Sequence, residues 1–115
     1  MSARKGGMWR FRELLPVRQE QNIVSLAEGG TPLMRSKKIG TRFGLKNLYF
    51  KDLTRNPTYS FKDYSSSTSV SKAKEIGISK IVLMSAGNAS SSFAAYCAVA
   101  GISFQAFMVS NTFEG

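Results

Sequence analysis

The sequence predicts an α/β fold: a partial, open and mainly parallel sheet with flanking helices. Three observations carry that expectation. Residues 80–84 form a short apolar run of the kind found in strands covered on both faces. Residues 91–100 are rich in alanine, with Phe93, Tyr96 and Val99 at helical spacing, and Gly101 supplies a stop. Residues 104–109 read as a further strand, so strand, helix and strand recur as in parallel sheets joined by helical crossovers.

The remaining elements are taken in chain order. Residues 1–7 are small and basic and are expected to form a flexible N-terminus, with residues 8–115 making the structured part. Residues 8–16 place Met8, Trp9, Phe11, Leu14 and Leu15 at short intervals before Pro16, which predicts a short helical or turn segment docked on a larger body. Glu28-Gly29-Gly30-Thr31-Pro32-Leu33 reads as a tight, ordered turn. Met34, Ile39 and Phe43 among Lys37, Lys38 and Arg42 predict a short amphipathic helix ended by Gly44, and Leu48, Tyr49 and Phe50 predict a strand. The serines at 65, 66, 67, 69 and 71 would suit a linker. A capping signal before them, Lys72-Ala73-Lys74-Glu75-Ile76 after them and Gly77 at the end predict a helix instead. Its small side chains would let it sit close to another backbone or to a flat ligand.

Two stretches carry chemistry. In Asn56-Pro57-Thr58-Tyr59-Ser60-Phe61-Lys62-Asp63, the proline keeps the chain extended or turning, and Ser60 is placed to cap a helix with Asp63 reaching back to it. Lys62 then stands in the first turn, an unfavourable place for positive charge. A neutral amine is the nucleophile that a Schiff base requires. The second stretch is Ser85, Ala86, Gly87, Asn88, Ala89 and Ser90, between a strand and a helix. Glycine allows close approach there, and open helix amides beside two serines and an asparagine suit a carboxylate or phosphate. Both stretches fall beyond the carboxyl ends of strands, where ligands bind in open α/β sheets.

Composition narrows the alternatives. Eight of the nine net positive charges fall in residues 1–55, without a zinc-finger spacing or an aromatic-basic reading motif, so no nucleic-acid partner is expected. A basic arm from Arg4 to Arg18 would be the route to such a partner. No run of eighteen apolar residues or signal-like N-terminus occurs, so no membrane partner and a cytoplasmic location are expected. With no histidine and a single cysteine, Cys97, neither a metal site nor an internal disulfide is expected, and Cys97 reads as helix packing.

Four segments in order make the chain resemble the pyridoxal-phosphate enzymes of the tryptophan-synthase-β fold type, and within them the threonine synthase family. Residues 8–16 look like the N-terminal segment of that family, and Leu26-Ala27-Glu28-Gly29-Gly30-Thr31-Pro32-Leu33 is similar to its Glu-Gly-x-Thr-Pro-Leu loop. Residues 56–63 resemble its Asn-Pro-Thr-Gly-Ser-Phe-Lys-Asp signature, and residues 85–96 its substrate loop and following helix. The resemblance implies pyridoxal 5'-phosphate as cofactor, Lys62 as the Schiff-base lysine, and Asn88 as a hydrogen-bond partner of the cofactor's 3-oxygen. It implies that Ser85, Ala86, Gly87, Asn88, Ala89 and Ser90 hold the substrate carboxylate. The implied reaction converts O-phosphohomoserine, a phosphorylated amino acid, and water to threonine and phosphate, in a homo-oligomer. A serine or threonine dehydratase is the alternative. Tyr59 stands where the family has glycine, Tyr64 where arginine is frequent and Ala89 where threonine is common, departures that bear on substrate choice. The family also needs a later glycine-rich phosphate loop and a polar residue opposite the pyridine nitrogen. Neither can be found in the sequence, so an N-terminal fragment of a longer enzyme, inactive alone, is expected.

Overall fold

A computed structural model of the chain describes residues 6–108. In order the elements are a 3-10 helix over Met8–Leu14, a 3-10 turn over Glu20–Asn22, β1 (Leu33–Arg35), α1 (Lys38–Arg42), β2 (Tyr49–Lys51) and a 3-10 turn over Leu53–Arg55. Then follow α2 (Lys62–Glu75), β3 (Lys80–Met84), α3 (Asn88–Ala100) and β4 (Ser103–Phe107). Residues 1–5 of the expected flexible terminus and Val109 of the last expected strand lie outside the described residues.

The α/β class holds, and β3 and β4 pair in parallel from Lys80 opposite Ser103 to Met84 opposite Phe107, with α3 as the crossover. The predicted strand near Leu48 behaves differently. β2 pairs antiparallel with β1 in a separate two-stranded sheet, Leu33 opposite Lys51. The sequence predicts no strand over Leu33–Arg35, because Met34 reads as the start of a helix. Ladder bonds from Ser36 N to Leu48 O (2.9 Å) and from Asp52 N to Pro32 O (2.9 Å) hold it extended, and the helix shrinks to Lys38–Arg42. β3 is covered on one face among the described residues: Ile81 and Leu83 are half-buried while Val82 and Met84 are exposed.

Docking of α2 against α3 builds the core of Val24, Val70, Ala73, Tyr96, Cys97 and Ile102. Burying an aliphatic or aromatic side chain of this kind stabilises by about 1.5–3 kcal/mol. Phe93 and Phe104 stack at its edge with ring centroids 6.4 Å apart. Gly101, at φ +69, takes the left-handed conformation that ends α3 and lets Ile102 N return to Cys97 O at 3.0 Å.

The serines of α2 have a structural purpose. Ser67 Oγ lies 2.7 Å from Val24 O, and Val24 N donates to Ser71 Oγ at 2.8 Å. Two hydroxyls one helical turn apart thus pair with the backbone of an extended segment, the close approach that small side chains permit. Serine in a helix interior otherwise competes with the helix for hydrogen bonds.

Candidate functional site

The turn before α2 is fastened at three points. Asn56 is buried, its Oδ1 accepts from Gly29 N at 3.0 Å, and its own carbonyl accepts from Tyr59 N at 2.8 Å. Tyr59 consequently sits at φ +59, the left-handed region that costs a non-glycine residue about 1–2 kcal/mol. Ser60 is buried and its hydroxyl accepts from Lys62 N at 3.2 Å.

The expected capping box does not form. Asp63 N donates to the Ser60 carbonyl at 3.4 Å, and the Ser60 hydroxyl takes the Lys62 amide in its place. The Asp63 carboxylate is fully buried on the face turned to α3. There it accepts from Thr58 N at 2.8 Å, from the Thr58 hydroxyl, and from the Ser92 hydroxyl at 2.6 Å. The residue next to the lysine therefore joins the turn to the neighbouring helix.

Lys62 is half-buried and makes no ion pair among the described residues; its ammonium lies 4.7 Å from the centre of the Phe61 ring. Asn88 is the first residue of α3, which begins three residues earlier than the spacing predicted because Gly87 O accepts from Ser90 N (2.9 Å) and Ser91 N (3.3 Å). Asn88, Ala89 and Ser90 thus form a helical turn rather than loop. Ser90 donates to Ser85 O at 2.5 Å and Ser85 Oγ accepts from Gly87 N at 3.4 Å, so both serines serve the junction itself. The exposed Asn88 carboxamide has no partner among the described residues. A Cβ at Gly87 would meet nothing within 4 Å, which leaves its backbone open to a ligand.

Phe61, Ser60, Tyr59 and Asn88 share one cleft of about 350 Å³ with Phe50 and Lys51 of β2. It is the region where the two chemical stretches meet. Lys62 stands beside its wall rather than in it, while Lys51 Nζ donates to the Thr31 carbonyl.

A second buried carboxylate belongs to a residue that the sequence marks only as part of a turn. Glu28 is 1% exposed; Oε1 accepts from Trp9 Nε1 at 2.8 Å and from Ser67 Oγ at 2.6 Å. Its Oε2 accepts from Tyr96 OH at 2.8 Å, Leu26 N at 3.0 Å and Ser25 Oγ at 3.1 Å. Burial, followed by the hydrogen bond to Glu28, pushes the Tyr96 phenol well above its ordinary range and keeps it a neutral donor. Ser67 is four residues after Asp63 and Tyr96 four after Ser92, so two carboxylates bridge α2 and α3 at successive turns. Nothing in local spacing marks Asp63 or Glu28 for this, since the donors that complete each bridge, Ser92 for Asp63 and Ser67 and Tyr96 for Glu28, come from 29 to 68 residues away.

The sequence profile of the family described as "Pyridoxal-phosphate dependent enzyme" matches residues 24–115. The chain belongs to this family. It is 47% identical over 98 residues to a protein named threonine synthase from Methanocaldococcus jannaschii, an alignment covering 85% of this chain and 24% of that relative. Proteins of the same name from Methanosarcina acetivorans and Halalkalibacterium halodurans are 42% and 41% identical, covering 83% and 89% of this chain and 23% and 28% of theirs. The chain spans about a quarter of the length of the curated relatives it matches.

Pyridoxal phosphate is the cofactor of the family, and the donor set here fits one end of it. Lys62 offers a primary amine without a salt-bridge partner, Asn88 an unengaged carboxamide, and Gly87 an open backbone. Among the described residues, no group of His, Cys, Asp or Glu is placed to hold a metal, and no helix is long and apolar enough to cross a membrane.

Proposed function

We propose that the protein carrying this chain is a threonine synthase, converting O-phosphohomoserine and water to threonine and phosphate, and that residues 8–115 form its N-terminal portion. The observation that carries the reading is the pairing of an amine free of salt bridges at the start of α2 with an unengaged carboxamide at the start of α3, their helices joined through Asp63 and Ser92. Identity to proteins named threonine synthase across this same stretch supports the choice within the family.

In this reading Lys62 binds the cofactor aldehyde and moves protons at the α and β carbons of the substrate. Asn88 would hold the cofactor's ring 3-oxygen by a hydrogen bond from its carboxamide. The amides and small side chains of residues 85–90 receive the substrate carboxylate at the open N-terminus of α3. When bound, the cofactor supplies an electron sink for the charge left at the α carbon. The partner is a small molecule, a phosphorylated amino acid; the protein acts as a cytoplasmic homo-oligomer and needs neither nucleic acid nor membrane.

The test supplies O-phosphohomoserine to the full-length protein and follows phosphate and threonine, with borohydride trapping and peptide mapping of the pyridoxyl group. Label on Lys62 and phosphate release, both lost in Lys62→Ala, are expected. Keto-acid from threonine without phosphate release would replace the proposal with a dehydratase, a possibility that Tyr59 and Ala89 raise by reshaping the cleft mouth and removing a hydroxyl from the substrate loop.

A further inference from the structure

We propose that Asp63 is a positioning residue that sets the Lys62 amine against the Asn88 carboxamide. Its carboxylate is completely buried and has no cation beside it among the described residues, an arrangement that is unfavourable unless each oxygen is hydrogen-bonded. The three donors come from only two places: the amide and hydroxyl of Thr58, in the turn that delivers Lys62, and the hydroxyl of Ser92. Asp63 directly follows Lys62, and Ser92 lies four residues, one helical turn, after Asn88 on the same side of α3. One carboxylate thereby fixes the offset between the two helix starts. The Glu28 bridge from Ser67 to Tyr96, one turn further along, prevents the pair from pivoting about that single point. The Ser60 hydroxyl, 3.2 Å from Lys62 N, holds the Lys62 backbone within its own turn, whereas the bond from Ser92 to Asp63 ties that turn to α3.

The inference rests on membership of the cofactor family and is independent of which amino acid the enzyme takes. In the full-length protein, Asp63→Asn, Ser92→Ala and Asn88→Ala would be compared singly and in pairs. Two readouts are used: the rate at which Lys62 condenses with pyridoxal phosphate, releasing one water, quantified by borohydride trapping and mass spectrometry, and the position of the bound cofactor's visible band. Asp63→Asn should slow capture about tenfold and shift the band, and Ser92→Ala, which keeps the charge, should give a smaller change in the same direction. Either change added to Asn88→Ala should slow capture by less than about twofold further, because the contact being positioned is already gone. Effects that multiply in the double variants would overturn the proposal. So would wild-type capture and an unshifted band in both Ser92→Ala and Asp63→Asn.

Discussion

Along the seam between α2 and α3, buried positions are held largely by polar side chains, whereas from β1 to β2 large apolar side chains stand in water. Asp63, Ser66, Ser67, Ser71 and Ser92 are completely buried. Leu33, Phe43, Leu45 and Phe50 are all exposed, Phe43 to 68%. Hydropathy alone would assign these regions the other way round. A buried polar group is tolerated where donors and acceptors converge on it, and the seam supplies them from the N-terminal segment, the turn before α2 and both helices. An apolar side chain becomes core only when a second layer reaches it, and β1 and β2 have no such cover among the described residues.

The strongest way to break the contrast is to remove an acceptor from the seam. Glu28→Ala would leave Tyr96 OH and Leu26 N without the carboxylate, while Trp9 Nε1 keeps Ser67 Oγ at 2.8 Å, and unsatisfied buried donors cost about 1–3 kcal/mol each. A loss of about 3 kcal/mol or more in chemical denaturation is expected, against about 1 kcal/mol for Tyr96→Phe, which removes a single bond. Equal losses in the two variants would show that Glu28 acts only through Tyr96.

Between the two regions, Tyr59 joins the cleft wall in a conformation suited to glycine. Tyr59→Gly should raise stability by up to about 1 kcal/mol, the relief of the left-handed strain less the greater freedom of glycine in the unfolded chain. A lower denaturation midpoint in that variant would mean that the ring's contacts outweigh the strain. Ser66 sharpens the rule in the opposite sense: its buried hydroxyl has no partner among the described residues, so Ser66→Ala should be neutral or stabilising by up to about 1 kcal/mol, as read from the urea midpoint.

Glu75, paired with a lysine, offers a comparison with the seam carboxylates. Hydrogen bonding to Lys72, then to the amides of Gln19 and Arg18, holds its carboxyl down to about 2 from 4.5. Because the folded value is depressed, its contribution is complete above about pH 4.5 and disappears as pH falls toward 2. The Tm difference between the parent and Glu75→Gln should be constant near neutral pH and vanish over that window; a difference that persists at pH 2 would point to packing. The smallest effect is expected where the contrast began: Phe43→Ser should stay within about 0.5 kcal/mol by denaturation.

Local sequence was sufficient for α2, α3, β3 and β4, where helical spacing, glycine stops and a short apolar run each act within a few residues. It also determined that Lys62 begins a helix after a proline turn and that Asn88 lies beside a strand-to-helix junction, because proline, glycine and helix-terminus geometry are properties of neighbouring residues. Only the tertiary structure decided that β2 leaves the parallel sheet to pair with β1, since strand partners are chosen by ladder bonds between distant segments. The same holds for the two carboxylates. Asp63 reads locally as a capping residue and Glu28 as part of a turn, yet Ser92 in the one case and Ser67 and Tyr96 in the other arrive from distant segments, and a buried charge can be told from a solvated one only when those donors are in place.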